Sequence, residues 1–224
     1  MLANNIANAS TAGFKVDREF YGTYADAEVE AGLNVPSVLP VVEKPWTDFA
    51  QGTLQQTGKT LDLALSGKGF FTVGGPSGPL YTRAGTFQSK ADGSVVTSEG
   101  YPVYQADGMA LKLTPGQTFE VGTDGTIRQA GVATGKLAVV ETPQDGLIKH
   151  GATLFRMADP KVKPTPARDV EVHQGKLESS NVSSPEASVR LINLMRQFET
   201  LQKAVGVGAE MNRRSIEEVA RVSS

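Results

Sequence analysis

The chain contains no cysteine. Disulfides, thiolate metal sites and cysteine nucleophiles are excluded together, and folding outside the cytoplasm would need no oxidative help. Histidine is almost missing. His150 and His173 are the only two, with no acidic companion at ligand spacing, so a metal centre or a histidine base has little material and both read as surface or loop residues. No apolar run approaches the roughly 20 residues that a membrane helix needs; the longest, such as Val38-Leu39-Pro40-Val41-Val42, are short. A basic surplus is lacking as well: 22 Lys plus Arg face 24 Asp plus Glu, a net charge of −2, which argues against a general nucleic-acid binder. The N-terminus shows no basic-then-apolar leader, so no cleaved secretory signal is expected. Signatures of catalysis are also wanting. Ser66-Gly67-Lys68-Gly69 lacks phosphate-loop spacing and reads as a turn between strands, and no Gly-x-Ser-x-Gly elbow occurs. The expectation is a protein that is not an enzyme, with no catalytic residue, cofactor or metal.

Glycine, by contrast, is plentiful at 24 of 224 residues. Asp92-Gly93, Asp107-Gly108, Asp124-Gly125 and Asp145-Gly146 each suit a tight hairpin, because glycine takes positive φ and aspartate tolerates it. Between the turns, Leu61, Leu63 and Leu65 alternate with Asp62, Ala64 and Ser66, the period-two pattern of a half-buried strand. Met109, Leu111 and Leu113 repeat the pattern. Further short strands are expected at 70–73, 86–89, 94–97, 126–129 and 136–140. The turns are too irregularly spaced for a repeat array. The expected fold is mainly β with terminal helices: a remnant of an N-terminal helix and an extended acidic connector at 1–34, a single antiparallel β barrel or sandwich at 35–176, and a long C-terminal coiled-coil helix within 177–224. The segment Pro160 to Pro166 leads out of the β domain as an extended strap.

The last helix has the clearest pattern. Ser184 is suited to cap it and Pro185 to its first position, where a missing N–H costs nothing. Leu191, Met195, Phe198, Gln202, Val205, Ala209, Asn212, Ile216 and Val219 fall at alternating steps of four and three, the seam of a coiled coil. Glu186/Arg190, Glu199/Lys203, Glu210/Arg214 and Glu217/Arg221 are i,i+4 pairs with the acid first, each worth about 0.2–0.5 kcal/mol. Packing, not surface charge, must therefore decide whether the helix holds. Its stripe outruns so small a β domain, so it needs partners. At the other end, Leu2, Ile6 and Ala9 share one helical face, in a helix too short to stand alone, and Gly13 suits a left-handed stop.

These residues carry a resemblance. Leu2-Ala3-Asn4-Asn5-Ile6-Ala7-Asn8-Ala9-Ser10-Thr11-Ala12-Gly13-Phe14-Lys15 resembles the N-terminal signature of the bacterial flagellar basal-body rod and hook protein family. Leu61-Asp62-Leu63-Ala64-Leu65-Ser66-Gly67-Lys68-Gly69-Phe70-Phe71 and Tyr81-Thr82-Arg83-Ala84-Gly85-Thr86-Phe87 are similar to the start of that family's β domain. Gln174-Gly175-Lys176-Leu177-Glu178-Ser179-Ser180-Asn181-Val182 is similar to the motif before its last helix. The resemblance implies a structural subunit of the periplasm-spanning rod, exported by the flagellar type III apparatus, that assembles with copies of itself and neighbouring rod and hook subunits to transmit torque. It implies no cofactor, no nucleic acid and no membrane insertion. Asn4, Asn5, Ile6 and Asn8 would sit at the base of an inner tube whose coiled coil uses the seam residues above, while Phe70 and Phe71 read as core. Arg196-Gln197-Phe198-Glu199 looks most like the proximal-rod F-type subunit, with the distal-rod G-type or a hook-like axial protein as the alternative. The family's pattern begins before Leu2, so the resemblance also implies that Met1 falls inside the N-terminal helix. From another class, a secreted β-domain peptidoglycan hydrolase is the rival, which no motif supports.

Overall fold

A computed structural model of the chain describes residues 1–19, 21–25, 38–42, 45–143 and 146–222, with the backbone alone at 21–25, 38–42 and 215–222. Short antiparallel strands form the body, between a small helix α1 (Leu2–Ala7) and a long one, α2 (Ser184–Val222). The turns follow the residues that favour them. Gly93, Gly108 and Gly125 have φ of +81°, +84° and +83°. In the turns at 92–93 and 124–125 the aspartate carboxylate accepts the amide and hydroxyl of Ser94 or Thr126, closing the turn locally. Asp145 lies outside the described residues.

The largest sheet has six strands in the order Leu147–Lys149, Leu154–Met157, Gly78–Thr82, Phe70–Gly75, Val139–Glu141 and Thr165–Pro166. Thr165–Pro166, in the expected strap, is its edge. Leu63–Gly67 pairs with Val170–Gln174 over five residues, and Phe119–Val121, Thr126–Gln129 and Val132–Lys136 form a meander. The sheets do not close into a barrel. Leu63, Leu65, Phe71, Val73, Ile127 and Leu137 lie in the main core, whereas Phe70, Tyr81 and Phe155 form a second cluster with Phe49. Phe49, Phe70 and Phe155 meet edge to face at 5.1–5.9 Å.

Three expectations change in the folded chain. The strand expected from Leu61 begins at Leu63 and is buried on both faces, with Ala64 at 0% and Asp62 at 4% exposure. It is not half-buried: Leu63 and Leu65 lie in the main core, and Ala64, on the opposite face, is fully buried as well. Around Leu111 only isolated bridges form, and the strand expected at 136–140 divides where Leu137-Ala138 carries the chain from the meander into the large sheet. Within the acidic connector, Asp17–Arg18 pairs with Trp46–Thr47, and Tyr21–Ala25 with Val38–Val42. Asp26, Glu28 and Glu30 lie outside the described residues.

The C-terminal helix is continuous over 39 residues. The Ala187 amide donates to the Ser183 carbonyl, so Ser183 takes the cap position expected for Ser184, and Pro185 moves to the second helical position, still free of an intrahelical N–H requirement.

Candidate assembly interface

Two features stand out beyond the core: a polar junction where the chain ends meet, and the face that α2 presents. The junction is built around Glu178, the last residue of the short strand Lys176–Glu178. Its carboxylate is 0% exposed. It accepts the Lys15 ammonium at 2.5 Å and the Gly52 amide at 2.9 Å on one oxygen, and the Arg83 guanidinium at 3.1 Å on the other. Lys15 also donates to the Ala50 carbonyl, and Arg83 to the Gly67 carbonyl. Arg83 packs over the Phe70 ring, with its Nε left without a partner. Burial pulls the Lys15 ammonium and the Arg83 guanidinium below their ordinary ranges, and the Glu178 charge acts against that pull in both. Two cations thus share one buried carboxylate.

The N-terminal segment reaches this point through a tight approach. Gly13 takes φ +69°, donates its amide to the Glu178 carbonyl, and lies against the Arg83-Ala84 backbone. Phe14 is fully buried, with the Lys149 ammonium 4.2 Å from its ring centre; Lys149 also bonds Asp17 and the Lys15 carbonyl. Asn181 fastens the same segment from the other side, accepting the Val16 amide and donating to the Asp48 and Ala50 carbonyls. Nothing in periodicity or spacing signals this cluster, because Lys15 and Glu178 are 163 positions apart. The signal available was indirect: Lys15, Arg83 and Glu178 each sit in one of the motifs quoted above.

The residues expected at an interface divide between two situations. Asn5 is buried and used within the chain, where it exchanges two hydrogen bonds with the Asp17 backbone. Ile6 and Asn8 are half-buried, and Asn4 is exposed. On α2, Leu191 is half-buried beside α1, while Met195, Phe198, Gln202, Val205, Ala209 and Asn212 are exposed. Phe198 and Val205 stand out at 62% and 73% exposure. Leu194 and Leu201 extend the stripe along its flank, a width that the strict seam missed. For Ile216 and Val219 only the backbone is described. Glu210 and Arg214 meet at 3.1 Å. Between α1 and the first turns of α2 runs an open groove of about 840 Å³, lined by Leu2, Asn5, Arg190, Leu194 and Gln197 among others.

The residues weighed for chemistry lie elsewhere. His150 is exposed; His173 is not in a loop but on the strand Val170–Gln174, 3.6 Å from Glu171. Lys68 stands exposed in the turn between Leu63–Gly67 and Phe70–Gly75, with Gly67 at φ +105°. Among the described residues no three His, Asp or Glu converge as metal ligands, and no helix is long and apolar enough to cross a membrane.

Residues 64–129 match the model of the flagellar hook protein FlgE/F/G D1 domain, and 173–218 that of the flagellar basal body rod FlgEFG protein C-terminal region. The chain is 34% identical to the flagellar basal-body rod protein FlgF of Caulobacter vibrioides, over all of this chain and 92% of that protein. It is 33% identical to the FlgF of Rhizobium meliloti, over 89% of this chain and 82% of that one. With the flagellar basal-body rod protein FlgG of Bacillus subtilis it shares 30% identity, over 94% and 89% of the two chains.

Proposed function

Because the chain belongs to the flagellar basal-body rod protein family, we propose that it is a structural subunit of the flagellar rod, residing in the basal body and joined to further rod and hook subunits. The observation that carries this reading is the face of α2. Met195, Phe198, Leu201 and Val205 lie along one stripe beyond the body, and each is more than half exposed. Contiguous apolar surface of this kind on a soluble chain marks a protein contact. We assign the seam Leu191, Met195, Phe198, Gln202, Val205, Ala209, Asn212, Ile216 and Val219 to subunit contact, together with Asn4, Ile6 and Asn8; Asn5 serves that surface from within. The β body at 35–176 forms the outer layer, and the segments 1–34 and 177–224 the inner one. Export through the flagellar type III apparatus belongs to the same reading, and so does a mechanical role without catalysis.

Among rod subunits the proximal F-type is the assignment, supported by the Arg196-Gln197-Phe198-Glu199 segment and by the 34% identity to an FlgF over the whole chain. The G-type is the second reading, supported by 30% identity to an FlgG. The test is deletion of the gene, followed by electron microscopy of purified hook–basal bodies and a swimming assay. Loss of rod and hook, restored by the intact gene but not by Phe198→Asp, is expected. Intact basal bodies in the deletion strain overturn the assignment.

A further inference from the structure

We infer that Lys15, Arg83 and Glu178 are positioning residues: they form a clasp that sets α1 against the root of α2 and makes the two chain ends one rigid piece. The helices themselves supply little of that order. Asn5 is the one buried residue of α1, and its polar group is spent on Asp17 rather than on α2. The two helices touch, with an open groove alongside their contact. That contact is small: Leu2, Ile6 and Leu191 are only half-buried, and Ala187 is the one buried residue of α2 among those whose side chains are described.

The clasp supplies that order. Glu178 lies six residues before α2 and Lys15 eight residues after α1, and both side chains are fully buried at 2.5 Å. Arg83 anchors the same carboxylate to the strand pair of the body, so three separate segments converge on two oxygens. Removing Glu178 strands two buried cations, whereas removing Lys15 or Arg83 leaves one buried ion pair but takes one of the three segments off the carboxylate. Gly13 and Asn181 fix the approach on either side, through the Gly13 amide on the Glu178 carbonyl and the Val16 amide on Asn181. The consequence for assembly, that both ends enter a polymer already oriented, rests on the rod reading above; the clasp itself does not.

Hydrogen exchange on the full chain tests it, with Lys15→Met, Glu178→Gln and the double variant. Lys15→Met is expected to speed exchange about tenfold or more at the Gly13, Val16 and Asp17 amides, and to leave Val95, Leu111 and Leu137 in the core unchanged. Glu178→Gln does more, because it leaves two buried cations facing each other. Adding Lys15→Met to Glu178→Gln then slows exchange relative to Glu178→Gln alone, since one stranded cation is gone. This reversal of sign is something loss of packing does not produce. Should Glu178→Gln fail to fold, a double variant that folds shows the same reversal, and Lys15→Met alone decides otherwise. Wild-type exchange at Gly13, Val16 and Asp17 in Lys15→Met, or a loss of the same sign in both backgrounds, overturns the clasp. If the exchange results hold while the deletion strain keeps intact basal bodies, the rod reading falls and the clasp stands.

Discussion

Replacing Gly13 by alanine separates two costs that are usually entangled. Gly13 and Gly116 both sit at positive φ, +69° and +80°. A Cβ on Gly116 meets nothing within 4 Å, whereas on Gly13 it would lie 2.2 Å from the Ala84 nitrogen and 2.4 Å from the Arg83 carbonyl carbon. Left-handed backbone costs an L-residue about 1–2 kcal/mol, and alanine recovers about 0.4–1 kcal/mol by narrowing the unfolded ensemble. Gly116→Ala is thus expected to lose about 0.5–1 kcal/mol net. Gly13→Ala has the same penalty plus a clash with backbone atoms, which no rotamer change relieves. The N-terminal segment must withdraw, and withdrawal exposes Phe14. Re-exposing a phenylalanine costs about 1.5–3 kcal/mol, before the broken ion pair is counted. The difference between the two variants is therefore at least ~2 kcal/mol. Trp46, the only tryptophan, reports it directly, because its strand pairs with Asp17–Arg18. In urea unfolding, the Trp46 emission transition of Gly13→Ala moves to lower denaturant, and moves further than the far-ultraviolet dichroism of the body. Equal shifts for Gly13→Ala and Gly116→Ala by both probes refute the reasoning.

Other perturbations read other parts of the chain. Ala130 has φ +49° in the two-residue loop with Gly131, so Ala130→Gly is expected to stabilise by about 0.5–1 kcal/mol and raise the melting temperature by a few degrees in calorimetry. Gly206 and Gly208 lie mid-helix with open space around an added Cβ, so Gly206→Ala and Gly208→Ala each raise the dichroic helix signal, worth about 0.5–1 kcal/mol apiece. The Ser94 and Thr126 hydroxyls and amides hold the Asp92 and Asp124 carboxyls below their usual range. A carboxyl lowered on folding adds stability above its unfolded pKa, near 3.9, and that stability is lost as pH falls through the folded value. Asp92→Asn with Asp124→Asn is expected to flatten the acid limb of a stability-against-pH curve below about pH 4; an unchanged limb sinks the assignment.

Local rules were legible in the sequence wherever one residue decides. The Asp-Gly turns at 92, 107 and 124, the turn at Lys68, and Phe70 and Phe71 as core follow from glycine stereochemistry and apolar patterning alone. The length and stripe of α2 were equally plain, because 3.5-residue periodicity survives without tertiary contacts. What escaped was set by neighbours. That Leu63–Gly67 is buried on both faces depends on which segments flank it. Pairing of Tyr21–Ala25 with Val38–Val42 involves one strand with an internal proline and joins segments separated by twelve residues. The Lys15–Glu178 contact joins opposite ends of the chain, and no local pattern foretells which of 22 cations meets which of 24 carboxyls.

The exposed stripe of α2 also constrains how assembly proceeds. Suppose two copies paired seam to seam, covering Met195, Phe198, Leu201 and Val205 on each. Every one of these side chains is 56–73% exposed, and full burial of such a residue yields about 1.5–3 kcal/mol. The pair would gain roughly 8–16 kcal/mol. Association costs about 4–15 kcal/mol, and each ordered side chain about 0.5–1.5 more. Gln202 and Asn212 in the seam, with Gly206 and Gly208 nearby, lower the gain further. The balance falls near zero, so one neighbour on the stripe alone does not hold; contacts made at the same time by other faces of the subunit do, since the freedom lost on binding is counted once while each further face adds its own buried area. Sedimentation of the purified chain is therefore expected to show a monomer at micromolar concentration, with the α2 stripe covered only when a preformed rod end is supplied. A stable dimer under those conditions, abolished by Phe198→Asp, would show that a single seam suffices and that this accounting of the interface is wrong.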